Sequence, residues 1–132
     1  MATMTTQQWH DFVMTGTRTG KLAVTLRDGR PYVTPIWFVL DGDDVVLTTG
    51  STSVKNRVLR RDPRVSLCVD DENPPYSFVV ISGEATISED PDQLLHWATV
   101  LGSRYMGAER GAEYGARNGC PASCWSASGR PG

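Results

Sequence analysis

The chain has 132 residues, 39% of them hydrophobic, and a formal net charge of −2. That length suits one domain and not two, and no apolar run nears the ~20 residues of a membrane span. A slightly acidic chain has no general attraction for nucleic acid.

The first residues, M-A-T-M-T-T-Q-Q-W, have neither a basic start nor an apolar stretch. No signal peptide is expected, and the expected location is cytoplasmic. Residues 5–14 read as a short helix. Residues 21–27 alternate apolar and polar, the pattern of a half-buried strand. Asp28-Gly29 is a hairpin signal, because glycine accepts the positive φ that a two-residue turn needs. Residues 32–40 return as a second strand. Pro35 within it cannot donate a ladder hydrogen bond, so that position is an edge, a bulge or a ligand-facing break. A turn over 41–44 leads to a third strand at 45–49. Further strands are expected at 65–69 and 77–88, separated by the polar, proline-containing residues 70–75. This spacing predicts a mainly β fold, an antiparallel sheet or barrel with flanking helices, and not a parallel Rossmann sheet. From Asp90 the period changes. Asp90 reads as an N-cap with Pro91 at the first helical position. Leu94, Leu95, Trp97, Ala98 and Leu101 then fall at helical spacing through about Met106. Residues 109–116 read as another short helix, weakened by Gly111 and Gly115.

Chemistry-bearing residues are sparse. Cys68, Cys120 and Cys124 make neither a disulfide framework nor a four-ligand zinc site. Cys68 sits in an apolar strand and reads as core. His10 and His96 have no carboxylate or cysteine constellation, so no metal site is expected. There is no G-x-S-x-G, H-E-x-x-H or Walker lysine motif.

The informative segment is L-T-T-G-S-T-S-V-K-N-R-V-L-R-R-D-P-R-V-S-L-C-V, residues 47–69. A β-branched run ends in a Gly/Ser/Thr loop that opens a short basic helix, which Pro63 stops. Backbone N–H groups and hydroxyls at a helix start, with one lysine nearby, form a cradle for phosphate. Lys55 is read as the phosphate ligand. For Arg57, Arg60, Arg61 and Arg64 two readings stay open: a solvated helix face countered by Asp62, Asp70, Asp71 and Glu72, or a groove for a polyanionic cofactor.

The order of these parts, with G-T-R-T-G-K-L-A-V-T-L-R-D-G-R-P, Y-V-T-P-I-W-F-V-L-D-G-D-D, V-D-D-E-N-P-P-Y-S-F-V-V-I-S-G-E-A and R-Y-M-G-A-E-R, resembles the split β-barrel family related to pyridoxamine 5′-phosphate oxidase. The branch it looks most like uses coenzyme F420, a 5-deazaflavin. The resemblance implies a Greek-key split barrel that binds a redox cofactor and supplies no catalytic triad, so no catalytic side chain is expected. It implies that the strand of Thr34, Pro35, Ile36 and Trp37 runs beside the cofactor ring. It places Thr48, Thr49, Gly50 and Ser53 near the ribityl chain and phosphate, Lys55 on the phosphate, and Tyr76 and Phe78 on the ring or substrate side. As strand residues, Thr48, Thr49, Tyr76 and Phe78 can equally serve packing. Related proteins often carry a basic residue where this chain has Ser53 and an asparagine where it has Val58. Arg57 or Arg61 is expected to compensate for the lost contact.

The implied activity is hydride transfer from F420 to a small conjugated organic electron acceptor. The alternatives are an FMN-dependent oxidase or flavin reductase, and a non-catalytic binder of a flavin-like ligand. A homodimer with the cofactor cleft between subunits is expected. Residues 119–132, G-C-P-A-S-C-W-S-A-S-G-R-P-G, show neither strand alternation nor a helical stripe, where the family implies a final strand. A GC-rich back-translation read one base earlier gives a turn and an alternating strand, so a frameshift near Gly119 is expected. A genuine tail is expected to cost the barrel its closing strand and to expose an edge.

Overall fold

The computed structural model describes residues 4–50, 54–118 and 122–131. Helix α1, Thr6–Met14, is opened by a capping box. The Thr5 hydroxyl accepts from the Gln8 N–H at 3.2 Å, and the Gln8 side chain accepts from the Thr5 N–H at 2.9 Å. Such a box satisfies two N–H groups that a helix start leaves open. Trp9 and Val13, four apart on one face, are buried.

Strands β1 (Gly20–Thr25), β2 (Pro31–Ile36), β3 (Val39–Asp41) and β4 (Asp44–Gly50) precede helix α2 (Val54–Arg61). Strands β5 (Arg64–Asp70) and β6 (Phe78–Ser88) follow. Helix α3 (Pro91–Met106), a 3₁₀ turn (Ala108–Arg110), helix α4 (Gly111–Asn118) and strand β7 (Ala122–Pro131) complete the order. All strand pairs are antiparallel, in the spatial order β2-β1-β5-β6-β7-β4-β3. The connection through α2 therefore crosses from β4 to a strand lying between β1 and β6, and β7 returns to fill the space between β6 and β4. This is the mainly β, antiparallel architecture with flanking helices that the strand spacing predicts, and it agrees with the split barrel that the resemblance implies.

The main core packs Leu22, Val24, Phe38, Val45, Leu47, Leu67, Val69 and Ile81 against Trp9 and Val13. A second cluster joins Val39 and Val46 to Leu94 and Leu101 of α3. Val45, Val46 and Leu47 are consecutive and all buried, so β4 is covered on both faces, as its unbroken apolar run requires. The Asp90 side chain caps α3 by accepting from the Asp92 N–H at 3.0 Å, with Pro91 behind it. Among the described residues no helix is long and apolar enough to cross a membrane.

Several local expectations change. The β1–β2 turn is a three-residue loop, closed by the Leu26 N–H donating to the Arg30 carbonyl at 2.8 Å. Gly29 takes φ +89 in it, the left-handed position that such loops need. The strand expected over 32–40 is interrupted at Trp37 and Phe38. Both main-chain groups of Phe38 are taken by α3 side chains, its N–H by the Tyr105 hydroxyl and its carbonyl by Arg104. The last helix starts at Gly111 rather than 109, because the 3₁₀ turn after Gly107 (φ +97) occupies 108–110.

The expectation that the tail costs the barrel its closing strand is also corrected, whereas Gly119, where a frameshift is expected, lies outside the described residues. Strand β7 pairs with β4 from Val45↔Ala127 to Gly50↔Ala122, and with β6 from Ile81↔Pro131 to Ser88↔Cys124. The closing strand is present despite the absent alternation. A ladder needs only main-chain donors and acceptors, and two flanking strands with open edges supply the partners.

Candidate functional site

Strand β4 carries Thr48, Thr49 and Gly50 at its end, paired with Cys124, Ser123 and Ala122 of β7. Thr48 is half-buried. Ser53 lies outside the described residues. Lys55 is the second residue of α2 and is half-buried, and burial lowers its ammonium below the ordinary lysine value. It has no ion-pair partner among the described residues. The first turn of α2 also contains no acidic residue. A helix start carries partial positive charge, so a lysine there is unfavourable twice over, by desolvation and by the dipole. An anion in contact with it relieves both.

The arginines that follow do not act as one group. Arg60 pairs with Glu89. Arg64 pairs with Asp62 at 2.7 Å, and this hydrogen-bonded contact holds the Asp62 carboxyl down at about 2. Arg61 donates to the Thr25 carbonyl at 3.0 Å. Arg57 and Arg61 line a groove together with Arg27 and Arg30 of the β1–β2 loop. At 3.6 residues per turn, Arg57 lies about 160° around the helix from Lys55, so the two do not share a face.

The residues expected beside the cofactor ring lie elsewhere on the sheet. Strand β2 is an edge, which resolves the position of Pro35. Thr34 stands opposite the core residue Leu22, and its hydroxyl is buried with no hydrogen-bond partner among the described residues. Ile36 is buried in the main core. Trp37 is stacked on Tyr105 and tilted against Tyr114, so its indole is committed to the helices. Of these four residues only Pro35 is exposed, on the open main-chain edge of β2.

Across the outer face, Pro35, Lys21, Cys68 and Val80 stand in one row through β2, β1, β5 and β6. Three strand spacings of ~4.8 Å make this row about 14 Å wide. Phe78, 50% exposed, lies one step further on the same face, opposite Asp70. Tyr76 is 64% exposed and holds φ +61, a conformation that favours glycine. Lys21 bridges to Asp70 at 2.8 Å and Arg18 to Asp71 at 3.1 Å beside them. This end of β5 is six residues, about 20 Å, from the end that receives α2. The single chain thus gathers Lys55 and the end of β4 at one end of the sheet and an aromatic, mixed-charge group at the other.

Sequence reasoning missed the pair that anchors this second end. Arg104 donates to the carbonyls of Phe38 (2.5 Å), Val13 (2.7 Å) and Gly16 (3.2 Å). Burial lowers its pKa, and its guanidinium lies over the rings of Phe38 and Tyr105. The Tyr105 hydroxyl donates to the Arg18 carbonyl at 2.8 Å and accepts from the Phe38 N–H at 3.1 Å. The signal was an arginine on a helix with no acidic neighbour one turn away.

Comparison with solved structures gives matches to this fold. A conserved hypothetical protein, Rv2991, from Mycobacterium tuberculosis aligns with TM-score 0.85 and 31% identity, over 97% of this chain and 82% of that one. A protein described as F420 reductase aligns with TM-score 0.75 and 24% identity, over 92% of each chain. An FAD-binding protein from Mesorhizobium loti aligns with TM-score 0.71 and 24% identity, over 96% and 91%. The family model described as pyridoxamine 5′-phosphate oxidase matches residues 5–120. On that match and the shared fold, the chain belongs to the pyridoxamine 5′-phosphate oxidase family.

Proposed function

We propose that the protein is an oxidoreductase that binds coenzyme F420 and passes hydride to a small conjugated organic acceptor. Family membership supports a flavin-type cofactor, and similar folds include proteins described as F420 reductase and as FAD-binding. The P-I-W-F and D-D-E-N-P-P-Y-S-F stretches resemble the deazaflavin branch, which favours F420 over FMN.

The observation that carries the reading is Lys55, a half-buried cation at a helix start with no carboxylate partner among the described residues. Its ammonium would hold the cofactor phosphate by a charge-assisted contact, with the end of β4 (Thr48, Thr49, Gly50) supplying further polar groups. The open main-chain edge of β2 at Thr34, Pro35 and Ile36 would meet the polar rim of the ring. F420, when bound, supplies the hydride chemistry. The chain's own residues bind it, orient it and exclude water.

The Lys55 group and the Tyr76–Phe78 group lie at opposite ends of one sheet. A homodimer that sets one end against the other end of a second copy would complete the cleft. The chain would then be active as a dimer, with the acceptor reached from the side of Tyr76 and Phe78.

Fluorescence titration of the full chain with F420 and with FMN tests the cofactor, and sedimentation of the same samples tests the dimer. Saturable F420 binding, tighter than FMN, supports the reading. Tighter FMN binding transfers the function to an FMN-dependent oxidase or reductase. Binding of neither by folded protein overturns it.

A further inference from the structure

A groove of about 570 Å³ runs between α2 and the β1–β2 loop. Arg27 and Arg30 line it from the loop, and Arg57 and Arg61 from the helix. Asp28 is the one carboxylate lining it among the described residues, and Arg30 holds that group at 2.7 Å. Four guanidinium groups thus face one carboxylate, in a chain whose net charge is −2.

The neighbouring arginines show that this concentration is not a general property of the region. Arg60 and Arg64, which do not line the groove, are each matched by a carboxylate, Glu89 and Asp62. Arg27 and Arg57 have no ion pair among the described residues, and Arg61 is held by a main-chain carbonyl alone. Arg57 and Arg61 are also four apart on one helix, where like charges repel. Val54 and Val58 supply an apolar floor between them. The volume is that of a small-molecule pocket.

We propose that this groove is a second ligand site, separate from the site at Lys55, for a small organic anion that carries two or more neighbouring anionic groups. Guanidinium forks from both walls match clustered phosphate or carboxylate oxygens, each able to offer paired N–H donors to one group. The apolar floor takes the body of the ligand. Lys55 is not among the residues lining this groove and lies about 160° around α2 from Arg57, so the cofactor phosphate and this anion would not compete for the same donors.

Backbone and arginine side-chain NMR of the full chain, titrated separately with inorganic pyrophosphate and with citrate, tests the proposal. Saturable shifts at residues 27–30 and 57–61 are expected with at least one probe, and the stronger arm identifies phosphate or carboxylate as the ligand chemistry. Arg57→Gln with Arg61→Gln is expected to weaken that binding by about tenfold or more. Arg27→Gln, in the loop, is the second variant should the helix changes disturb folding. Lys55→Ala is expected to leave the shifts in place, which separates this site from the cofactor reading. Absence of saturable shifts with both probes overturns the proposal. So do shifts that vanish in Lys55→Ala or persist unchanged in both arginine variants.

Discussion

The indole of Trp37 lies on the phenol ring of Tyr105, with centroids 4.9 Å apart and planes 7° from parallel. The contact ties the bend between β2 and β3 to α3, and the Tyr105 hydroxyl completes the tie through Arg18 and Phe38. Tyr105→Phe keeps the stack but leaves the Phe38 N–H and the Arg18 carbonyl without this partner. The expected cost is about 1–3 kcal/mol, read as a lower urea midpoint with an unchanged slope. An unchanged midpoint would show that water replaces the hydroxyl.

Helices α3 and α4 meet at a glycine contact. A Cβ on Gly102 would lie 2.6 Å from the Tyr114 Cβ and 3.2 Å from the Gly111 carbonyl. In an open helix, Gly→Ala stabilises by about 1 kcal/mol. Here the sign reverses, because neither neighbour is the flexible tip of a side chain. Gly102→Ala is expected to destabilise by about 1–3 kcal/mol, as overpacking does, and a thermal melt reads the difference. A raised Tm would refute the close packing.

The lowered pKa of Lys55 sets a pH dependence. The unfolded chain holds the proton to higher pH than the folded chain does, so stability rises with pH across the window between the two values. Below that window the folded state carries the full cost of the buried charge. Lys55→Met, which has no such cost, should therefore be more stable than the wild type near neutral pH, with the gap narrowing as pH climbs towards the ordinary lysine value. Urea melts of both proteins over that range check it, and a constant gap would contradict it.

How much of this was readable beforehand depended on whether the deciding force was local. Thr5, Asp90 and Pro91 announce their helices because caps act within a few residues of themselves. Asp28-Gly29 announces the hairpin, though the loop length is set by how Leu26 and Arg30 pair. The break at Trp37 and Phe38 was hidden because the groups that capture Phe38 come from Arg104 and Tyr105, more than sixty positions away. Strand β7 was hidden for a related reason. Its place follows from the open edges of β4 and β6 and not from its own periodicity. At the candidate site, the role proposed for Lys55 rests on its loop and helix start. The division of the arginines between ion pairs and a groove depends on Glu89, Asp62 and the distant β1–β2 loop.

The central claim is that Lys55 holds the phosphate of a deazaflavin cofactor. The most direct test is a cycle of four affinities: wild type and Lys55→Ala, each with F420 and with the dephosphorylated deazaflavin riboside. If the lysine grips the phosphate, the substitution weakens F420 by about 10- to 150-fold, the ~1.5–3 kcal/mol of a charged hydrogen bond. The riboside, which lacks the phosphate, should bind both proteins alike. Equal losses for both ligands, or no loss for either, would contradict the account.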